Sequence, residues 1–397
     1  MKLPPVVVDI ARAVERKGGT AYLAGGPVRD HHLGRPPKDF DIEVHGVPED
    51  DLAKLLKAFG RVNAVGRSFG VYKLTVDGEE LDVSLPRRDS KVGPGHRGIQ
   101  VAGDPWMDLT EACRRRDLTV NAMLYGILSG ETVDPFGGLT DLKARVLRHT
   151  DRTTFLEDPL RALRVVQFAA RLEFDVHPDL KAMCRDAAIE ELPAERLVIE
   201  LDKLLLKAAR PGLGVQLLED LDIRGRLFPQ LDLTGVPEVV DRAAAMEVSS
   251  PERDALMYAA LLHRCPTPET VLDRLHVHTR AKYPLRRMVL AALAVERPDD
   301  STALRRLADV VPVSLPIRLW WAIDPSWWPD ALDEAEHAGV RHGPLPALLG
   351  GRELQGLGLS PGPAIGTHLR ALREAQTAAQ VSTLAEALAF IRDRMNA

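Results

Sequence analysis

Leu23-Ala24-Gly25-Gly26-Pro27-Val28-Arg29-Asp30, followed by Lys38-Asp39-Phe40-Asp41-Ile42-Glu43-Val44, is the stretch on which the fold turns. Thr20 to Ala24 is a short apolar strand. It stops at Gly25-Gly26, and a helix begins at about Pro27 and runs to Leu33. Two glycines at a strand-to-helix turn let backbone N–H groups come close to a phosphate, with the helix N-terminus behind them. The same residues also make a plain tight turn. The second piece, Phe40 to Val44, alternates and predicts a strand. At period two, Asp39 and Asp41 point to one face with Cα atoms about 7 Å apart. Hard oxygen ligands of this kind suit Mg²⁺. A solvated strand edge is the competing explanation, although Asp is a poor strand former.

Working outward, residues 5–17 predict a helix closed by Gly18-Gly19, and Val71–Val76 with Glu80–Leu85 predict a hairpin across Asp77-Gly78. Asp82 alternates with Leu81 and Val83, so it too leaves the core face. Three carboxylates, Asp39, Asp41 and Asp82, suit a two-metal phosphoryl transfer. Glu79 and Glu80 lie beside the third of them. From about residue 141 the strand signals fade and helical patterns follow at 156–173, 178–189, 194–209, 213–224, 253–263 and 267–275. A Pro/Gly-rich stretch at 343–366 precedes helices at 365–378 and 383–395, with Thr383 and Glu386 as a capping box. The expected class is α+β, a mixed-sheet N-terminal domain followed by helices alone.

Gly25-Gly26-Pro27-Val28-Arg29-Asp30, Leu33-Gly34-Arg35 and Asp39-Phe40-Asp41-Ile42 resemble, in order and spacing, the signature of the bacterial-type (class II) tRNA nucleotidyltransferase and poly(A) polymerase family. Further blocks extend the resemblance. Arg115-Arg116-Asp117-Leu118-Thr119-Val120-Asn121-Ala122-Met123 is similar to the family's RRDFTxNAM block, with Leu118 where the family has Phe. Asp117 and Asn121, four apart, would share a helix face and receive ribose hydroxyls while Arg116 approaches the triphosphate. A capped helix with a basic start is the alternative. Glu157-Asp158-Pro159-Leu160-Arg161 matches the EDxxR block, in which the Asp–Arg pair reads the incoming base. The carboxylate takes the exocyclic amine of C or A and rejects the carbonyl of U or G. Asp158-Pro159 also makes a good helix start. Glu195-Arg196-Leu197-Val198-Ile199-Glu200 resembles the block that braces the base-reading helix. Asp134 to Leu142 resembles the hinge between head and neck, and Gly358 to Gly366 the family's tail.

The resemblance implies a nucleotidyltransferase catalytic head over 1–140, a helical neck with the base-reading motif over 141–209, a helical body over 210–345 and a helical, tRNA-contacting tail over 346–397. It implies C and/or A addition to the tRNA 3′ end from CTP and ATP, without a template, on a two-metal Mg²⁺ site. Asp39, Asp41 and Asp82 would be catalytic, Asp39 and Asp41 the metal ligands. Gly25, Gly26, Arg29, Arg116, Asp117, Asn121, Asp158, Arg161 and Arg164 would hold the nucleotide. An enzyme adding only C or only A would need a complementary partner enzyme. A poly(A) polymerase and a catalytically silent tRNA-binding module are the rival readings. The first has a basic C-terminal extension that this chain lacks, and the second gains nothing from three carboxylates facing RNA.

The 397 residues carry 52 Lys and Arg against 57 Asp and Glu, a formal charge of −5, which argues against a wholly basic nucleic-acid coat. Locally the balance reverses. Residues 143–171 hold seven basic residues against three acids, so Arg148 and Arg152 are candidates for the RNA backbone. Arg87, Arg88, Lys91 and Arg97 sit in a Gly-rich stretch, read as a flexible loop over 86–107. Solvated surface charge explains both equally well. Trp320-Trp321 and Trp327-Trp328 read as core with an exposed neighbour rather than a stacking platform. His263-Arg264 lacks the Asp of a metal phosphohydrolase motif, so no such activity is expected. Three widely spaced cysteines fit a reducing cytosol. No signal-peptide core or membrane span is expected, which points to the cytoplasm.

Overall fold

The computed structural model of the chain describes residues 1–37, 39–66, 71–76, 79–91 and 99–396. Helix α1 (Pro5–Glu15) buries Val7, Ile10, Ala11, Ala13 and Val14. Strand β1 (Thr20–Ala24) leads through Gly25, whose φ is 73°, into α2 (Gly26–His32). Then come β2 (Asp41–His45), α3 (Glu49–Leu56), β3 (Arg61–Gly66), β4 (Val71–Val76) and β5 (Glu79–Ser84). The turn between β4 and β5 lies outside the described residues, but the two strands pair antiparallel along their whole length.

A two-stranded ribbon follows, β6 (Arg87–Lys91) antiparallel to β7 (Ile99–Gly103). The stretch read as a flexible loop over 86–107 thus holds two paired strands, while residues 92–98 within it lie outside the described residues. Both sides of the insertion are extended and their backbone groups pair. After α4 (Leu109–Arg114), β8 (Leu124–Gly126) and β9 (Thr132–Val133) complete the sheet. Its order is β3-β4-β5-β2-β1-β8-β9. Every pair in it is antiparallel except β2–β5, which is parallel and sets Asp41 opposite Asp82.

Helices α5 (Gly138–Ala144), α6 (Arg152–Glu157), α7 (Leu160–Leu172), α8 (Pro178–Asp186) and α9 (Ala194–Lys207) follow, with a small parallel pair of β10 (Val146–Leu147) and β11 (Asp175–Val176). The single helix expected over 156–173 is two, because Asp158 is extended (ψ 98°) and Pro159 cannot continue the ladder of the helix before it.

The chain divides into two compact units, 1–204 with 217–227, and 205–216 with 228–397. Among the described residues, the second unit is helical. Its helix Glu252–Leu262 is buried on nearly every side, which is why its apolar pattern has no polar stripe. Trp320 is 5% exposed and meets Trp327 edge to face at a centroid distance of 5.0 Å, while Trp321 donates to the Trp328 carbonyl. The C-terminal segment packs Leu349, Leu354, Leu372, Ala387 and Ile391 into one cluster. Glu386 and Thr383 cap the last helix reciprocally. No described helix is long and apolar enough to cross a membrane.

Candidate active site

Within the first unit, the ends of β1 and β2, the start of α2, the segment after α4 and the face of α7 enclose a cavity of about 560 Å³. Eight arginines and five aspartates line it, so the cavity is positive in a protein that is negative overall. Gly25, Gly26, Arg29, Asp39, Asp41, Arg87, Arg116, Asp117, Asn121, Asp158, Arg161 and Arg164 all face it. Residues from five separate sequence blocks thus converge on one site.

The glycine turn is tight for a stated reason. Gly25 has a left-handed φ, and a Cβ there would stand 3.1 Å from Arg116 Nη1. Arg29 is 5% exposed. Its Nε and Nη2 donate to Asp30 Oδ1, and its Nη1 donates to Asn121 Oδ1 at 2.7 Å. Asn121 in turn donates to Asp117 Oδ1, and Arg164 Nε donates to Asp117 Oδ2 at 2.7 Å. Asp117 and Asn121 therefore do meet, but not on a shared helix face. Asp117 lies beyond the end of α4, and Asn121 closes a 3-10 turn, Thr119–Asn121. Burial would raise the Asp117 carboxyl, but the adjoining Arg164 guanidinium, with the Asn121 amide, holds it below the usual carboxylate range.

Asp41 is pushed the other way. Desolvation first, then Asp82 and Asp39, raise its carboxyl, against Arg116 and Lys73, which lower it. Three carboxylates that repel one another are a donor set that a divalent cation would relieve, and all-oxygen ligands suit Mg²⁺. Asp39 and Asp41 line the cavity, whereas Asp82 does not; it stands opposite Asp41 in the β2–β5 pairing, with Lys73 Nζ 3.5 Å from its Oδ1. Among the described residues, no three His, Cys, Asp or Glu side chains are already gathered as a closed metal cage. The carboxylates fit an open site, completed by oxygens from outside the protein.

The EDxxR residues are engaged separately. Asp158 accepts from the Leu160 N–H and from Arg196 Nη2 at 2.8 Å. Arg161 donates to the carbonyls of Thr154 and Arg115 at 2.8 and 2.6 Å. The two side chains do not share a helix face, because Asp158 precedes α7 instead of belonging to it.

Arg148 lies away from the cavity, tied to the buried Asp141, which also accepts from Thr119. Arg152 stands on the surface 3.7 Å from Asp186. Arg97 and the side chains of Arg88 and Lys91 lie outside the described residues.

Several lining residues escaped the sequence reading: Asp30, Arg115, Phe168, Arg171 and the pocket-facing role of Arg196. The guanidiniums of Arg29, Arg164 and Arg171 all stand 5.3–5.7 Å from the Phe168 ring centre. Spacing held the clue for two of these, since Phe168 and Arg171 follow Arg164 by four and seven positions on one helix face.

Comparison with known proteins bears on this site. Residues 21–148 match the poly A polymerase head domain, and 173–234 match the probable RNA and SrmB-binding site of polymerase A. Over 311 residues the chain is 35% identical to the multifunctional CCA protein of Methylobacillus flagellatus, an overlap of 72% of each chain. The chain belongs to the CCA protein family. The CCA protein of Aromatoleum aromaticum is 37% identical over 282 residues, 65% of this chain and 66% of that one. The chain thus spans about two thirds of the length of the curated relatives it matches. The family fold recurs in solved structures. The Bacillus stearothermophilus CCA-adding enzyme, solved with CTP, superposes with a TM-score of 0.71 at 23% identity over 99% of this chain and 98% of its own. The Thermotoga maritima CCA-adding enzyme, solved with tRNA, gives 0.70 at 21% identity, covering 99% and 96%.

Proposed function

We propose that the chain is a tRNA nucleotidyltransferase that adds C and/or A residues to the tRNA 3′ end from CTP and ATP, without a template. The observation that carries this reading is the pairing of an acidic edge with an arginine-lined cavity: Asp39, Asp41 and Asp82 beside Gly25, Gly26, Arg29 and Arg116. A silent binding module would be better served by basic groups alone, because three like charges repel an RNA backbone.

Asp39 and Asp41 would hold Mg²⁺, with Asp82 alongside, and the bound metal would supply activation of the tRNA 3′ hydroxyl and stabilisation of the leaving pyrophosphate. The 3′ hydroxyl attacks the α-phosphate and pyrophosphate departs. Arg29 and Arg116 neutralise the triphosphate, and Gly25-Gly26 lets it approach the backbone. Asp117 and Asn121 receive the ribose. Asp158 takes the exocyclic amine of C or A, exchanging its bond to Arg196 for one to the base, and Arg161 and Arg164 complete the base-facing wall. Arg152, with Arg87, Arg88, Lys91, Arg97 and Arg148, offers charge to the RNA backbone. The division into head (1–140), neck (141–209), body (210–345) and tail (346–397) is part of the same proposal.

The test is a gel assay with tRNA transcripts ending before CCA, after C and after CC, each given Mg²⁺ with CTP, ATP or both. Extension of the shortest by three residues is the expected result. Extension confined to the CC-ended transcript with ATP would identify an A-adding specialist that works with a complementary enzyme. Stopping after two C residues would identify a CC-adding one. Long ATP-dependent ladders would make it a poly(A) polymerase, and no extension would leave the silent module. Asp39→Asn is expected to abolish incorporation while leaving tRNA affinity within about twofold, since one carboxylate on a metal edge contributes little to a phosphate-dominated interface.

A further inference from the structure

Glu43 lies two residues beyond Asp41 on β2, on the same face of the strand and deeper in the sheet. It is 1% exposed, an uncommon place for a carboxylate unless it is fully paired. Its Oε2 accepts from Arg115 Nη2 at 3.1 Å and from Arg116 Nη2 at 2.9 Å, and its Oε1 stands 3.1 Å from His45 Nε2. Two guanidiniums and an imidazole thus surround this one buried carboxylate. Both arginines line the cavity.

Arg116 reaches the cavity with four rotatable bonds and two competing attractions. One is Glu43 beneath it. The other is the acidic edge, since Arg116, Asp39 and Asp41 line the same cavity. Its Nη1 borders Gly25, and its Nε is buried without a hydrogen-bond partner. One nitrogen is thus fixed from below, while another borders the glycine turn where the phosphates would arrive.

We infer that Glu43 is a positioning residue, an anchor that holds Arg116 against the glycine turn and keeps it from collapsing onto Asp39 and Asp41. This rests on the nucleotide-binding reading of the cavity given above. Without the anchor, Arg116 would turn toward the carboxylate edge. The cavity would then lose a preorganised phosphate donor and the metal edge would gain a tethered competing cation.

The experiment compares wild type, Glu43→Gln, Arg116→Ala and the double variant in the full chain. It measures CTP dissociation constants and, with the CTP-extendable transcript, KM and kcat. Glu43→Gln is expected to weaken CTP binding and raise KM about tenfold with a smaller change in kcat. In the Arg116→Ala background the same change is expected to add less than twofold, because the two act as one unit. Glu43→Asp keeps the charge one methylene further away and is expected to fall between. Glu43→Gln binding CTP within twofold of wild type, or effects that multiply in the double variant, would overturn the inference. So would glutamine and aspartate variants that both lose their folded circular-dichroism signature, which would make Glu43 a core residue and nothing more. A wild-type chain that extends no transcript would instead sink the nucleotidyltransferase reading itself.

Discussion

Asp41 carries, at the scale of one residue, an electrostatic cost set by its neighbours. Its carboxyl is raised by desolvation, Asp82 and Asp39. An acid whose folded value lies above its unfolded one costs stability once pH rises beyond the unfolded value, and the cost vanishes in acid where both states are protonated. Asp41→Asn is therefore expected to raise the unfolding free energy at pH 7. The gain should fade below about pH 4, and nucleotide incorporation should be abolished. Calorimetry of both proteins across pH, in metal-free buffer, checks it. A variant less stable than wild type at pH 7 would mean that Asp41 is held by its cations and not strained by its neighbours.

At the scale of elements, α7 is the wall of the site. One side carries Leu163, Val166 and Ala170 into the core, and the other presents Arg164, Phe168 and Arg171 to the cavity. The Arg164–Asp117 bond ties this helix to the segment after α4. Arg164→Met is expected to cost about 3 kcal/mol, because it strands a buried anion. Adding Asp117→Asn should recover most of that loss. Denaturant unfolding of the three variants measures it, and simple additivity would show that the pair is not coupled. The sheet strands and helices around the motifs were legible because their periodicities are local. Asp39 and Asp41 both line the cavity, but only Asp41 belongs to β2, since Asp39 lies in a bend before the strand where alternation does not apply. Glu43 was hidden among apolar strand residues, since only its long-range arginines reveal its task. The Asp158–Arg196 pair was invisible because it joins the break between α6 and α7 to α9, a packing no spacing rule contains. The break at Pro159 was visible as a helix start, yet apolar periodicity running through it suggested one helix in place of two.

At the scale of the molecule, the two compact units do not divide at one point in the sequence, because 217–227 belongs with 1–204. Arg226 explains the attachment. It bonds Glu190 Oε1 at 2.6 Å and caps the carbonyls of Arg185 and Ala187, where α8 ends. A fragment ending at Leu227 is expected to melt several degrees above one ending at Leu204, by thermal circular dichroism. Equal midpoints would show that the segment is dispensable. The one parallel pairing in the sheet carries a last consequence. Asp82 reaches Asp41 only when two strands about forty residues apart in the chain dock side by side, a non-local pairing whose loop-closure entropy must be met before it forms. A ribosome that has delivered only the glycine turn and the two neighbouring aspartates has made two of the three carboxylates of the proposed edge. On the function proposed above, the acidic edge is complete only once the sheet closes, so an unfinished chain is expected to be catalytically mute.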